Sequence, residues 1–175
     1  MILSDDTLNV LKNFATINPN LIFKPGQRLS TISEAKTILA KSEIVEDFPQ
    51  EFGIYDLNEF LSVYGLIENP QLDFEEKNLL ISNTVGGSAT AGQQKVNYYY
   101  AEPEILTSPQ KDIQMPSAEL GVNIGEDLIN QLRKAAAVLG HTELTLSGNN
   151  GVVTASVSDT RDATSNNFTL ELDRD

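Results

Sequence analysis

The chain contains no cysteine and a single histidine, His141. Without thiols, disulfides and thiolate chemistry are excluded, and one histidine rules out most zinc sites and every multi-histidine site. No stretch reaches the roughly 18 consecutive apolar residues typical of a membrane helix, and residues 1–6 show no basic, apolar leader. We therefore expect a soluble intracellular protein with no metal, no cofactor and no membrane contact.

Catalytic motifs are also missing. The sequence has no nucleophile elbow, no phosphate-binding loop and no metal-ligand spacing, and no second histidine could orient His141. Paired acids such as Asp5-Asp6 occur where a helix dipole favours them. The sequence therefore predicts a protein that is not an enzyme.

Basic residues are scarce: the chain has 12 lysines and arginines and 25 aspartates and glutamates, which gives a net charge of −13. Taken alone, this charge disfavours a nucleic-acid partner, because attraction to phosphates supplies most non-specific DNA affinity. The location of the charges matters more than their total. We expect the acidic excess on outer strands and turns, for example at Glu43, Glu46, Asp47, Glu75 and Glu76.

Three segments have helical periodicity, at residues 4–15, 56–65 and 126–139. Ser4 and Asp56 are predicted N-caps, and Gly140 is predicted to end the third helix. The other predicted elements are short strands, at residues 21–23, 28–32, 37–45, 52–55, 72–74, 79–81, 96–100, 143–146, 152–157 and 168–172. A turn at residues 24–27 separates the first two strands, and Gly148-Asn149-Asn150-Gly151 predicts a hairpin.

The chain also contains an internal repeat. A shift of about 121 residues places Asp5, Asp6, Leu11 and Lys12 on Glu126, Asp127, Leu132 and Arg133. Between the repeats lies a proline-containing stretch with little periodicity, as in a linker. We predict a first domain at 1–100, a linker at 101–116 and a second domain at 117–175.

These segments resemble the sliding clamps of T-even-type bacteriophages. The similarity is carried by residues 11–18 and 21–27, by Ile54-Tyr55-Asp56-Leu57-Asn58 with Phe60-Leu61, and by Glu126-Asp127-Leu128 with Gln131-Leu132-Arg133. The resemblance implies an α+β clamp fold, in which a duplicated domain packs two helices on antiparallel sheet. It further implies a non-enzymatic ring of three subunits in an infected bacterial host.

Such a ring encloses duplex DNA, is placed by a clamp loader and holds the DNA polymerase at its template. Clamps of this family have four pore-lining helices, whereas the sequence predicts three. The second domain is therefore expected to be incomplete, with the chain truncated at its C-terminus and shielded by another copy.

The resemblance implies that helix faces meet DNA. The expected DNA-facing residues are Asn9, Lys12, Asn13, Arg133 and Lys134. Spacing alone leaves an ordinary solvated helix face as the alternative.

The linker contains four large apolar residues, Ile105, Leu106, Ile113 and Met115. They are expected to contribute to a groove for partner peptides, such as those of the polymerase. An equally open alternative is that they anchor the linker to the sheet below it.

A second function stays open at this point. The net charge of −13 and the incomplete second domain also suit an acidic adapter, or a clamp fragment, that binds proteins without encircling DNA.

Overall fold

The computed structural model describes residues 1–83, 94–110, 116–118, 120–162 and 164–172. It forms two compact units, Met1–Asp112 and Ile113–Asp175. The first unit contains α1 (Asp5–Ile17), β1 (Leu21–Phe23), β2 (Gly26–Ile32), β3 (Leu39–Phe48), β4 (Phe52–Ile54), α2 (Leu57–Leu66), β5 (Pro70–Phe74), β6 (Asn78–Asn83), β7 (Lys95–Tyr99) and a 3₁₀ turn (Pro103–Ile105). The second contains α3 (Glu126–Leu139), β8 (Glu143–Asn149), β9 (Val152–Ser158) and β10 (Phe168–Leu172).

Every strand pair in the described residues is antiparallel. In the first unit β1 pairs with β4, β2 with β3, and β6 lies between β5 and β7. In the second unit β9 lies between β8 and β10. The predicted α+β class is confirmed.

The first unit has one apolar core beneath two helices. Leu11 of α1 and Leu57 and Phe60 of α2 are buried, while Leu61 is half-buried and packs against the same core. The rings of Phe23 and Phe52 stack with centroids 4.5 Å apart. Both helices therefore direct their apolar faces at the sheets, as their periodicity predicts.

The strand pairing departs from the sequence order at residues 21–32. β1 and β2 flank the predicted turn, yet β1 pairs with β4 while β2 pairs with the ten-residue β3. Pro25 lacks an N–H, and a bulge lies between Gly26 and Arg28. The chain thus bends here, so β1 pairs with the distant β4 while β2 pairs with the next strand, β3.

Glu46 corrects one expectation about the acidic residues. It was expected on an outer surface, but its side chain is buried, with 8% of the residue exposed. It lies on the core face of β3, two residues before the buried Phe48. Glu43, Asp47, Glu75 and Glu76 are exposed, as predicted.

The second unit has a smaller core, formed by Leu132 of α3 with Ala155 and Val157 of β9. The turn between β8 and β9 has positive φ at Asn150 (50°) and Gly151 (76°), which suits a tight hairpin. The predicted hairpin is confirmed. Both units begin with a helix that carries two acids in its first turn and is followed by antiparallel strands.

Candidate nucleic-acid interface and partner segment

The start of α1 is held by a network of hydrogen bonds. The Ser4 hydroxyl accepts from the Thr7 N–H at 3.2 Å, which confirms Ser4 as the N-cap. Glu46 reaches the same turn: one carboxylate oxygen accepts from the Ser4 N–H at 2.5 Å, and the other accepts from the Thr7 hydroxyl. The carboxylate also complements the positive end of the helix dipole. These contacts help to fix the position and the orientation of α1 on β3.

The pKa of Glu46 reflects two opposing effects. Burial of the carboxyl group raises the pKa, whereas the hydrogen bonds from Thr7 and Ser4 lower it and outweigh burial. The net result is a pKa below the ordinary value of 4.5. Glu46 is therefore an ionised group that helps to position α1.

The outward face of α1 is polar and exposed at Asn9, Lys12, Asn13 and Thr16. The Asn13 side-chain amide donates to the Asn9 carbonyl at 2.9 Å, and the Thr16 hydroxyl donates to the Asn13 carbonyl at 2.7 Å. Lys12 forms no ion pair with any residue in the described ranges. This face presents an exposed ammonium group and exposed amide groups.

The outward face of α2 carries no cation. Asn58, Glu59 and Ser62 are exposed there, and Asp56 caps the helix by accepting from the Asn58 and Glu59 N–H groups. The Tyr98 hydroxyl donates to the Asp56 carbonyl and to the Glu59 carboxylate, each at 3.2 Å. Burial and the negative charge of Glu59 raise the pKa of Tyr98, so the hydroxyl keeps its proton. Lys12 is thus the single cation on the outward faces of these two helices.

The outward face of α3 carries Arg133 and Lys134, both exposed. Neither has an ion-pair partner in the part of the chain that the structure describes. Gly140 ends the helix in the left-handed conformation, with φ of 70°, as predicted. The five expected DNA-facing residues therefore lie on exposed faces of the helices that open the two units.

The linker residues that are expected to bind partner peptides have different surroundings. Ile105 is 65% exposed, whereas Leu106 is 8% exposed and packs against Gly53. A Cβ atom at Gly53 would lie 2.5 Å from the Leu106 Cδ1 atom and 2.5 Å from the Ala101 carbonyl oxygen. Leu106 thus anchors the segment, and Ile105 is available at the surface. Ile113 and Met115 lie outside the described residues.

Sequence reasoning missed two residues that hold this segment. Asn20 accepts from the Thr107 N–H at 3.1 Å, and the buried Asn18 donates through its side-chain amide to the Thr107 carbonyl at 3.4 Å and the Ile32 carbonyl at 2.7 Å. Asn18 and Thr107 are 89 positions apart, so no local pattern could connect them. The only local signal is two polar residues placed between a helix and a strand.

Two other classes of site are absent from the described ranges. No group of three or more His, Cys, Asp or Glu residues there is arranged to hold a metal ion. No helix among those residues is long and apolar enough to cross a membrane.

Residues 4–96 match the model of a family described as DNA polymerase processivity factor, which is just over half of the chain. The sliding clamp of Vibrio phage KVP40 is 33% identical to the chain over 179 residues, covering 98% of this chain and 77% of the relative. This chain belongs to the sliding-clamp family. The sliding clamps of Enterobacteria phage T4 and Escherichia phage RB69 are 34% and 28% identical to it.

The matched region covers different fractions of these phage sliding clamps. The matched region covers 76% of this chain and 56% of the T4 clamp, and 87% of this chain and 64% of the RB69 clamp. The chain therefore spans less than two thirds of these two relatives. The match to the family confirms the resemblance recognised in the sequence.

Proposed function

We propose that this chain is a non-enzymatic clamp subunit that holds a DNA polymerase on duplex DNA as part of a trimeric ring. A clamp loader would place the ring, and the protein would act in the cytoplasm of an infected bacterium. Family membership supports the role in processivity. The trimer, the loader and the contact with DNA are inferences from the family resemblance and from the chemistry of the helix faces.

The placement of three cations carries the DNA part of this proposal. Lys12, Arg133 and Lys134 are exposed on α1 and α3 although the chain has a net charge of −13. A ring holds DNA by topology, so it needs only weak attraction to the phosphates, and strong attraction would slow sliding. A few cations and amides on each subunit fit contacts that follow the backbone without reading bases.

The first prediction tests these helix faces by combining Lys12→Glu, Arg133→Glu and Lys134→Glu. We expect the variant to lose most of the increase in polymerase product length that the unmodified clamp produces, because phosphate attraction becomes repulsion. Its oligomeric state should not change. The measurement is primer extension with a trap for dissociated polymerase, together with sedimentation of the clamp alone.

The matched control combines Lys36→Glu, Lys77→Glu and Lys95→Glu, which changes the net charge equally at exposed positions outside α1 and α3. The control should support longer products than the helix-face variant at the same salt concentration. Equal processivity of the two variants at low salt would exclude these helix faces as the DNA-facing surface.

A further inference from the structure

The tip of the β8–β9 hairpin carries the one Asn-Gly pair of the chain, Asn150-Gly151. Every other asparagine precedes a residue that has a side chain. β8 ends at Asn149 and β9 begins at Val152, and these two residues lie opposite each other in the register. Asn150 and Gly151 therefore form a two-residue turn outside the strand ladder, as their positive φ angles also indicate.

The side-chain amide of Asn150 is open to solvent. Asn150 and Gly151 are exposed, and the Asn150 side chain forms no hydrogen bond with the residues that the structure describes. Other asparagine amides are held in place. Asn13 donates to the Asn9 carbonyl, and the buried Asn18 donates to two carbonyls. No such contact fixes the Asn150 amide.

The following glycine leaves the main-chain nitrogen next to this amide unshielded. A side chain on the residue after an asparagine crowds that nitrogen, and Gly151 has none. The position that a Cβ atom would take at Gly151 has no heavy atom within 4 Å apart from those of its chain neighbours. Surrounding residues therefore do not block the approach of the Gly151 nitrogen to the Asn150 side-chain carbonyl.

We propose that Asn150 is a site of spontaneous deamidation. The Gly151 nitrogen attacks the Asn150 Cγ atom and forms a C–N bond, and the side-chain nitrogen leaves as ammonia with the proton of the Gly151 amide. The five-membered succinimide ring that results then takes up one water molecule. Opening at one carbonyl gives aspartate. Opening at the other carbonyl gives isoaspartate, in which the main chain runs through the Cβ atom.

The two products have different effects on the hairpin. Aspartate adds one negative charge and leaves the main chain unchanged, and Asp-Gly suits the same two-residue turn as Asn-Gly. Isoaspartate adds the same charge and also one main-chain atom between Asn149 and Val152, so this closing pair cannot keep its register. β8 carries the exposed Leu144 and Leu146, so isoaspartate loosens the strand that presents them. The reaction needs no DNA and no second subunit, so it is independent of the proposed function.

The test incubates the full chain at physiological temperature in mildly alkaline buffer, because the attacking nitrogen must lose its proton. Mass spectrometry of the peptide around residue 150 should show the mass gain of an amide-to-carboxyl change, with aspartate and isoaspartate forms that separate by chromatography. In water enriched in heavy oxygen, each product should contain one solvent oxygen. Asn150 should react at least about tenfold faster than Asn149, because only Asn150 precedes a residue without a side chain.

Asn150→Gly and Asn150→Asp are the controls. Both residues suit the positive φ of the turn and lack the side-chain amide, so neither variant should gain mass at position 150. Freshly prepared Asn150→Asp should match the unmodified chain in hydrogen exchange along β8, which isolates the effect of the charge. The isoaspartate form, separated from the incubated chain, should exchange the β8 amides about fivefold faster or more, because local opening becomes easier.

Three results would overturn the proposal. Asn150 could keep its amide while Asn149 or another asparagine reacts first. The mass gain could also occur without any isoaspartate, which would mean direct hydrolysis without the Gly151 nitrogen. Finally, an isoaspartate form that exchanges its β8 amides as slowly as the unmodified chain would contradict the effect assigned to the extra main-chain atom.

Discussion

At the scale of single residues, Glu46 links a strand to the first helix turn across 42 positions of sequence. Its two oxygens accept from different donors, the Ser4 N–H and the Thr7 hydroxyl. A buried carboxylate without partners would be strongly unfavourable. Here both donors and the positive helix end stabilise the ionised form, so the residue can be buried and still contribute to stability.

The second prediction concerns Glu46→Gln. Glutamine presents one oxygen acceptor, so one of the two donors loses its partner. We therefore expect the free energy of unfolding at neutral pH to fall by about 1–3 kcal/mol. Because the folded pKa of Glu46 lies below 4.5, its contribution is present above that value and is lost as the pH falls through the folded pKa. The difference between the two proteins should therefore shrink in acid. Urea unfolding at several pH values measures it.

Glu43→Gln is the control for this prediction. Glu43 lies on the same strand with 83% of its side chain exposed, beside Arg28. Its replacement should change the free energy of unfolding by less than about 1 kcal/mol. A destabilisation by Glu46→Gln that is no larger than this, or that grows in acid, would contradict the role assigned to Glu46.

At the scale of elements, the segment at residues 101–110 packs on the first unit. The Ala101 N–H donates to the Gly53 carbonyl at 2.9 Å, and Leu106 fills the space beside the same glycine. The structure therefore groups this segment with residues 1–100, whereas the division into domains at 1–100 and 117–175 stays a prediction. Leu106 fits the anchoring alternative for the linker, and Ile105 is free to meet a partner.

The third prediction compares Leu106→Ala with Ile105→Ala. Leu106→Ala should destabilise the first unit by about 2–4 kcal/mol and increase hydrogen exchange at the Thr107 amide, because it leaves a cavity beside Gly53. Ile105→Ala should leave stability within about 0.5 kcal/mol of the original and weaken partner binding. Similar losses of stability in both variants would show that the two neighbours do not have separate roles.

At the scale of the whole molecule, the second unit leaves apolar surface uncovered. Leu144 and Leu146 of β8 are paired with Val157 and Ala155 of β9, so they share the face that α3 covers. They are nevertheless 50% and 38% exposed. In the first unit two helices cover the sheets, but among the described residues of the second unit there is one. An edge strand with exposed leucines favours association.

The fourth prediction concerns assembly. We expect the 19.2 kDa chain to sediment as a trimer, with the exposed face of β8 shielded in the complex. Leu144→Asp combined with Leu146→Asp should shift the protein towards monomer while the circular dichroism spectrum is retained. Sedimentation velocity over a range of concentrations measures this. A monomer at every concentration would favour the alternative function, an acidic adapter that does not encircle DNA.

Local chemistry made several features predictable. Ser4, Asp56 and Gly140 act within one turn of a helix, and the Asn150-Gly151 turn is set by two adjacent residues. The apolar periodicity of α1 and α2 likewise predicts which faces are buried. The family resemblance likewise depended on short local segments, at residues 11–18, 21–27, 54–61 and 126–133, which is why the sequence was sufficient to recognise it.

Other features depended on contacts between distant residues. The pairing of β1 with β4, the burial of Glu46 against Ser4 and the packing of Leu106 on Gly53 join residues that are far apart in sequence. A groove around Arg28 brings Lys24, Lys41 and Pro109 together only when β2, β3 and the 101–110 segment are in place. The sequence by itself determined the helices, most strands and the family. Tertiary structure decided which charged residues are buried and which share a surface. The physical reason is that residue alternation and spacing describe a single helix or strand and not the neighbours that it acquires on folding.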